Sequence, residues 1–141
     1  MMHDLVSEIP GIGFPVVRPE DRSTYKDLTI LVDEASFGLS ADVLGEALAV
    51  EGVETRRYYA PAVHEMRAYR AQAAGVHLPV TEQAARAALS LPLSTDMTGG
   101  QIERVGEAIR RIRAHLGEKN SHEVTQERYG GQAIPLGTES P

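Results

Sequence analysis

Strand-like apolar segments interleaved with segments of helical periodicity predict a small α/β or α+β two-layer domain, an open sheet packed with helices. Three observations carry this. In DLTILVD, Leu28, Ile30 and Val32 share one face of an extended chain. In the last third, Ile102, Val105, Ile109, Ile112 and Leu116 form one helical stripe. The 141 residues suffice for one core, burying roughly two thirds of the unfolded surface, and leave no room for a second full domain.

The elements follow in order. Residues 27–33 are the first strand, buried on at least one side. Ser40 is placed to cap a helix with apolar positions Val43, Leu44, Ala47 and Leu48, ending near Gly52. Residues 53–59 form a second strand candidate that Pro61, lacking an N–H for the ladder, closes. A loop with a short helical turn comes next. Thr81 is the expected cap of the alanine-rich helix EQAARAA, and LSLPL is a third strand candidate stopped near Pro92. Thr98 and Gln101 have capping-box spacing at the start of the last helix, whose outer face is arginine-rich. After Gly117 periodicity gives way to polar, glycine and proline residues. The expected organisation is therefore a domain over residues 1–117 and a flexible tail over 118–141. Pattern alone leaves the strand directions open.

Composition narrows the function classes. A formal charge of -6 provides no basic field for nucleic acid or anionic lipid, so neither is an expected partner. No cysteine is present, which excludes disulfides, thiolate metal sites and cysteine nucleophiles. No basic-then-apolar leader opens the chain and no segment has the length of a membrane span, so a cytoplasmic protein is expected. His3, His64, His77, His115 and His122 lack paired metal spacing. GIGF at residues 11–14 lacks the third glycine of a dinucleotide fingerprint, and TGG at 98–100 reads as a helix start. Asp33 and Glu34, as strand neighbours, point to opposite faces. No complete catalytic constellation emerges.

One stretch is crowded with binding-type side chains. VETRRYYAPAVHEM holds Arg56, Arg57, Tyr58, Tyr59 and His64 in a chain with only 5% aromatics. On a strand, Arg56 and Tyr58 share one face while Arg57 and Tyr59 share the other. Tyrosine hydroxyls and an arginine on one face can bind sugar or phosphate oxygens. The plainer alternative has the tyrosines covering the core edge, the arginines solvated and His64 capping a turn.

GVETRRYYAPAVH resembles a segment of the DegT/DnrJ-type aminotransferases, pyridoxal-phosphate enzymes of fold type I that place amino groups on nucleotide-linked keto sugars. EIPGIGFP is similar to that family's exit from its large domain, and YKDLTILVD to the first strand of its C-terminal domain. Tyr69 follows His64 at the familiar distance, while LPVTEQAARAALSLPL and DMTGGQIERVGEAI resemble the closing segments. The likeness covers residues 5–116, and the conjunction of motifs is its strength.

The resemblance implies the fold of a C-terminal small domain of a fold type I aminotransferase. It implies substrate-side roles for Tyr58, His64 and Tyr59, with Arg57 a weaker candidate, near a nucleotide-linked keto or amino sugar. Pro61 stands alone where relatives carry two prolines, so the loop shape and the aim of His64 are open. The family's Schiff-base lysine and phosphate cradle belong to the large domain. Neither Lys26 nor Lys119 matches the lysine segment, so no catalytic residue, metal or cofactor is expected in this chain alone. Pyridoxal phosphate enters only with a large-domain aminotransferase partner, in a homo- or hetero-oligomer. The MM start lies just before the family's domain junction, as expected of a separate gene or an expressed fragment. The implied function is thus the C-terminal part of a split or truncated sugar aminotransferase; a noncatalytic nucleotide-sugar-binding or regulatory module and a vestigial fragment are the alternatives.

Overall fold

The computed structural model describes the backbone of residues 2–129 and the side chains of residues 2–117. Its elements are α1 (Met2–Val6), β1 (Ile12–Gly13), β2 (Leu28–Val32), α2 (Glu34–Phe37), α3 (Ala41–Val50), a 3-10 turn (Val63–Glu65), α4 (Pro79–Ala87), β3 (Ala88–Leu91) and α5 (Gly99–Tyr129). The three strands form one antiparallel sheet in the order β1, β2, β3. This is the expected small open sheet packed with helices, with strand directions that the pattern had left open.

The sheet is ordered by its buried centre. Leu28, Ile30 and Val32 of β2 are buried as the alternation requires, and Leu89 and Leu91 of β3 join them. Leu44 and Leu48 of α3, Val105 and Ile109 of α5, and Val6 of α1 close this face into one aliphatic core with Phe37. Leu31 lies on the opposite face, where it lines a cavity with Val80, Ala84 and Ala87 of α4. Register is fixed by polar as well as apolar pairing. Thr29 faces Ser90, and their hydroxyls hydrogen-bond at 2.8 Å although Ser90 is buried.

Local chemistry sets most helix ends. Ser40 Oγ accepts the Val43 N–H at the start of α3, as expected. Val43 itself is exposed, and Ala41 takes the core position, so the stripe is rotated from the expected one. Thr98 and Gln101 make both halves of a capping box: Gln101 Oε1 accepts the Thr98 N–H at 2.8 Å and Thr98 Oγ1 accepts the Gln101 N–H at 3.3 Å. For α4 the expectation is corrected. Its N-cap is Leu78 with Pro79 following, and Thr81 sits within the first turn. Proline's fixed φ and missing N–H suit that first helical position, so Pro79 starts the helix earlier than a threonine cap would.

The second strand is also corrected. Within residues 53–59 only Arg56 pairs, in an isolated antiparallel bridge to Ser90 with backbone bonds of 3.0 and 2.8 Å. The chain then turns away through cis Tyr58–Tyr59 and Ala60–Pro61 peptide bonds. At the other end, α5 runs past Gly117 to Tyr129. Of the expected tail, 118–141, residues 130–141 lie outside the described residues.

Two glycines at positive φ separate conformational from steric need. Gly11 (φ +83) accepts the Asp33 N–H at 2.8 Å, and a Cβ there would sit 2.3 Å from the Phe37 backbone nitrogen. Gly52 (φ +76) ends α3 with nothing within 4 Å of the same position. Gly52→Ala should therefore cost about 1 kcal/mol from backbone conformation alone. Gly11→Ala should cost about 3 kcal/mol, because a backbone clash adds to the conformational term. Urea unfolding of the two variants checks the difference; equal losses would show that the β1–α2 contact yields without resistance.

Candidate functional site

The crowded stretch leaves its bridge to Ser90 and enters a loop, so its side chains do not alternate between faces. Arg57 turns inward. Its side chain is 16% exposed, and Nη2 donates to the carbonyls of Ala85 (2.8 Å) and Arg86 (3.1 Å) at the end of α4. Nη1 donates to the Asp42 carboxylate in the first turn of α3. The guanidinium fork thus joins three segments, a geometry that an ammonium point charge does not reproduce.

Tyr58 and Tyr59 are both exposed, at 47% and 60%, on the outside of this turn. Their rings meet edge to face with centroids 5.4 Å apart. The expected separation onto two faces gives way to an adjacent pair offering two hydroxyls to solvent. Arg56, exposed, pairs with Glu54 at 2.6 Å.

His64 belongs to a different constellation. It lies on the 3-10 turn and is nearly buried, its Nε2 3.3 Å from Glu82 Oε1. The same oxygen accepts the Leu78 N–H at 2.9 Å and lies 3.2 Å from His77 Nδ1. The Leu78 amide, His64 and His77 together hold the Glu82 carboxyl below the usual carboxylate range, against partial burial that pushes it up. Glu82 was not singled out from the sequence. Its signal was available: an acid in the first helical turn after a proline is placed to accept the N-cap amide.

The 3-10 turn and the following loop are fastened by their own chain. Glu65 Oε2 accepts the Ala62 N–H at 3.2 Å, and the Arg70 guanidinium donates to the Glu65 carbonyl at 3.1 and 3.3 Å. Between this loop and α4 lies a cleft of about 450 Å³ with Val63, His64, Tyr69, Val76 and Leu78 among its walls. The structure therefore brings His64 together with Tyr69, and Tyr58 with Tyr59, and places Arg57 in a scaffold contact. A second cavity, about 800 Å³, carries Asp33, Glu34 and Asp42 beside Gly11 and Arg86. Asp33 there precedes α2 and accepts from Ser36 Oγ, and Glu34 opens that helix, so the pair is not on a strand. Among the described residues no group of histidines and carboxylates is arranged to hold a metal ion, and no helix is long and apolar enough to cross a membrane.

The model of the DegT/DnrJ/EryC1/StrS aminotransferase family matches residues 1–110. The chain belongs to this family. Similar solved structures include DesI determined in the presence of its TDP-sugar product, with 29% identity over 86% of this chain and a TM-score of 0.74. DesV of S. venezuelae, determined with a ketimine intermediate, is 29% identical over 79% of the chain at a TM-score of 0.69. TlmJ from Streptoalloteichus hindustanus is 27% identical over 82% at 0.66. The chain spans only 31%, 29% and 29% of the lengths of DesI, DesV and TlmJ.

The DegT/DnrJ family is pyridoxal-phosphate-dependent, which raises the question of whether this part of the fold can hold the cofactor. The described residues do not fit it. Lys26 is exposed before β2 and lines neither cavity above, and the other lysine, Lys119, lies beyond the described side chains.

The Arg57 contact should matter for stability through its carbonyl partners more than through its ion pair. Arg57→Met should cost about 2 kcal/mol, since two carbonyls and a charge lose their partners. Asp42→Asn should cost less than about 1 kcal/mol, because Asp42 is 72% exposed and its attraction is screened. Thermal melts of both variants check this; a larger loss at Asp42 would make the ion pair the tether.

Proposed function

We propose that this chain is the C-terminal, substrate-side part of a nucleotide-sugar aminotransferase and acts when a large domain supplies the lysine and pyridoxal phosphate. The observation that carries the reading is the exposed Tyr58–Tyr59 pair on a loop anchored by Arg57, within a chain matched to the family over residues 1–110. The two rings stand beside one another with their edges together and much of their surface exposed. Their hydroxyls can donate to and accept from sugar or phosphate oxygens, and the rings supply flat apolar surface at small entropic cost.

The substrate class is supported by the neighbours, of which DesI was determined with a TDP-sugar product. In this reading Tyr58 and Tyr59 meet the nucleotide-linked keto or amino sugar directly, and His64 reaches it from the adjoining cleft. Arg57 holds the loop and need not touch the ligand. Bond making and breaking belong to the lysine and cofactor of the large domain. The chain's own contribution is to hold the sugar in reacting geometry and to close off solvent on its side.

The test is reconstitution with a lysine-bearing large domain of the family, read by steady-state kinetics beside melting curves. Activity should appear only on mixing. Tyr58→Phe should then lower kcat/KM by on the order of 1 kcal/mol with an unchanged melting temperature, as the loss of one hydrogen bond requires. His64→Ala should act in the same direction. Wild-type kinetics in both variants would remove the two residues from the site. Absence of activity with any such large domain would favour a noncatalytic nucleotide-sugar-binding module.

A further inference from the structure

One carboxylate oxygen, Glu82 Oε1, collects contacts from two histidines at opposite ends of a loop. His64 Nε2 lies at 3.3 Å, His77 Nδ1 at 3.2 Å and the Leu78 amide nitrogen at 2.9 Å. His64 and Glu82 are 12% and 13% exposed, whereas His77 is 77% exposed, so the inner contact is the sheltered one. An ionised carboxylate can only accept hydrogen bonds. Each ring nitrogen facing it must therefore carry the proton. In neutral His64 that places the proton on Nε2 and leaves Nδ1 with its lone pair.

We propose that Glu82 is a positioning residue: it fixes His64 in the Nε2–H form so that Nδ1 offers an acceptor to a hydroxyl of the bound sugar, and it holds residues 64–77 closed beside the cleft. This rests on the substrate-side reading of His64 above and adds how that residue is oriented. The second nitrogen of an imidazole takes its role from the hydrogen bond made by the first. The cleft supports the assignment, because Val63, Val76, Leu78 and the Tyr69 ring give it mainly apolar walls, with the side chains of His64, Gln72 and Thr81 and the Tyr69 hydroxyl as its polar groups. Apolar walls suit the carbon face of a deoxygenated sugar or another flat apolar group, and an acceptor at one wall then selects a ligand with a hydroxyl. His77 fastens the far end of the loop to the same oxygen.

The positioning is tested on the whole chain, without substrate, by 15N–1H correlation NMR of histidine-labelled protein at neutral pH. In the wild type His64 should show a resolved one-bond Nε2–H correlation. Glu82→Ala should abolish it, and Glu82→Gln, whose amide oxygen still accepts, should retain it. His77→Ala removes only the exposed partner and should leave it in place, which guards against a general loss of fold. A correlation that persists in Glu82→Ala, or is absent in the wild type, overturns the positioning.

In the reconstituted enzyme Glu82→Ala and His64→Ala should each lower kcat by about tenfold, and the double variant should lose no more than either single one, because the two act as one unit. Rescue of kcat by Glu82→Gln separates orientation from simple packing. Independent, multiplying losses overturn the coupling. A wild-type kcat in His64→Ala, with the Nε2–H correlation present in the wild-type chain, overturns instead the substrate reading on which the proposal rests.

Discussion

The Arg57 guanidinium holds the site half of this domain together. Its fork reaches the carbonyls of Ala85 and Arg86 and the carboxylate of Asp42, so the end of α4, the start of α3 and the loop after the Arg56 bridge share one cation. Backbone carbonyls at a helix C-terminus need donors, and a planar cation meets two at once. With residue 57 committed inward, Tyr58 and Tyr59 are turned out together. The arrangement explains how a short loop, whose own buried apolar residue is the small Ala62, presents two large aromatic rings to solvent.

Arginines of α5 perform a similar task elsewhere in the domain. Arg110 donates to the Leu5 carbonyl at 2.7 Å, Arg113 to the Ser36 carbonyl at 3.3 Å, and Arg111 pairs with Glu51 at 2.7 Å. The polar side of α5 is therefore tied to α1, α2 and the end of α3. These contacts complement the aliphatic core in a chain with few aromatics, and they consume cations that would otherwise read as a basic face. Contacts with lone carbonyls favour Arg over Lys, since several donors in a fixed plane can be satisfied at one site.

Where the determining chemistry is local, it was legible in the sequence. The alternation of Leu28, Ile30 and Val32, the Ser40 cap and the Thr98–Gln101 box each depend on residues within a few positions of one another. The strand expected at residues 53–59 was not, because extended residues become a strand only with a partner, and beyond Ser90 the partner belongs to Arg57's helix contacts. The Thr81 cap lost to Pro79 because a fixed φ outweighs one side-chain hydrogen bond. At the site, residue types were visible and their directions were not. Tyr58, Tyr59, Arg57 and His64 could be named from the crowded stretch. That Arg57 faces in, and that His64 meets Glu82 across 18 positions, follows from tertiary packing.

In the proposed reading labour is divided: this chain presents a surface to the substrate, and a lysine of a separate large domain carries the covalent chemistry. Lys26 is exposed and does not line the cleft that holds His64. The most direct measurement is borohydride reduction after adding pyridoxal phosphate, read by peptide mass spectrometry, for the chain alone and for the chain mixed with a family large domain. The account expects a stoichiometric adduct only in the mixture and only on a large-domain lysine. A stoichiometric adduct on Lys26 or Lys119 would contradict it.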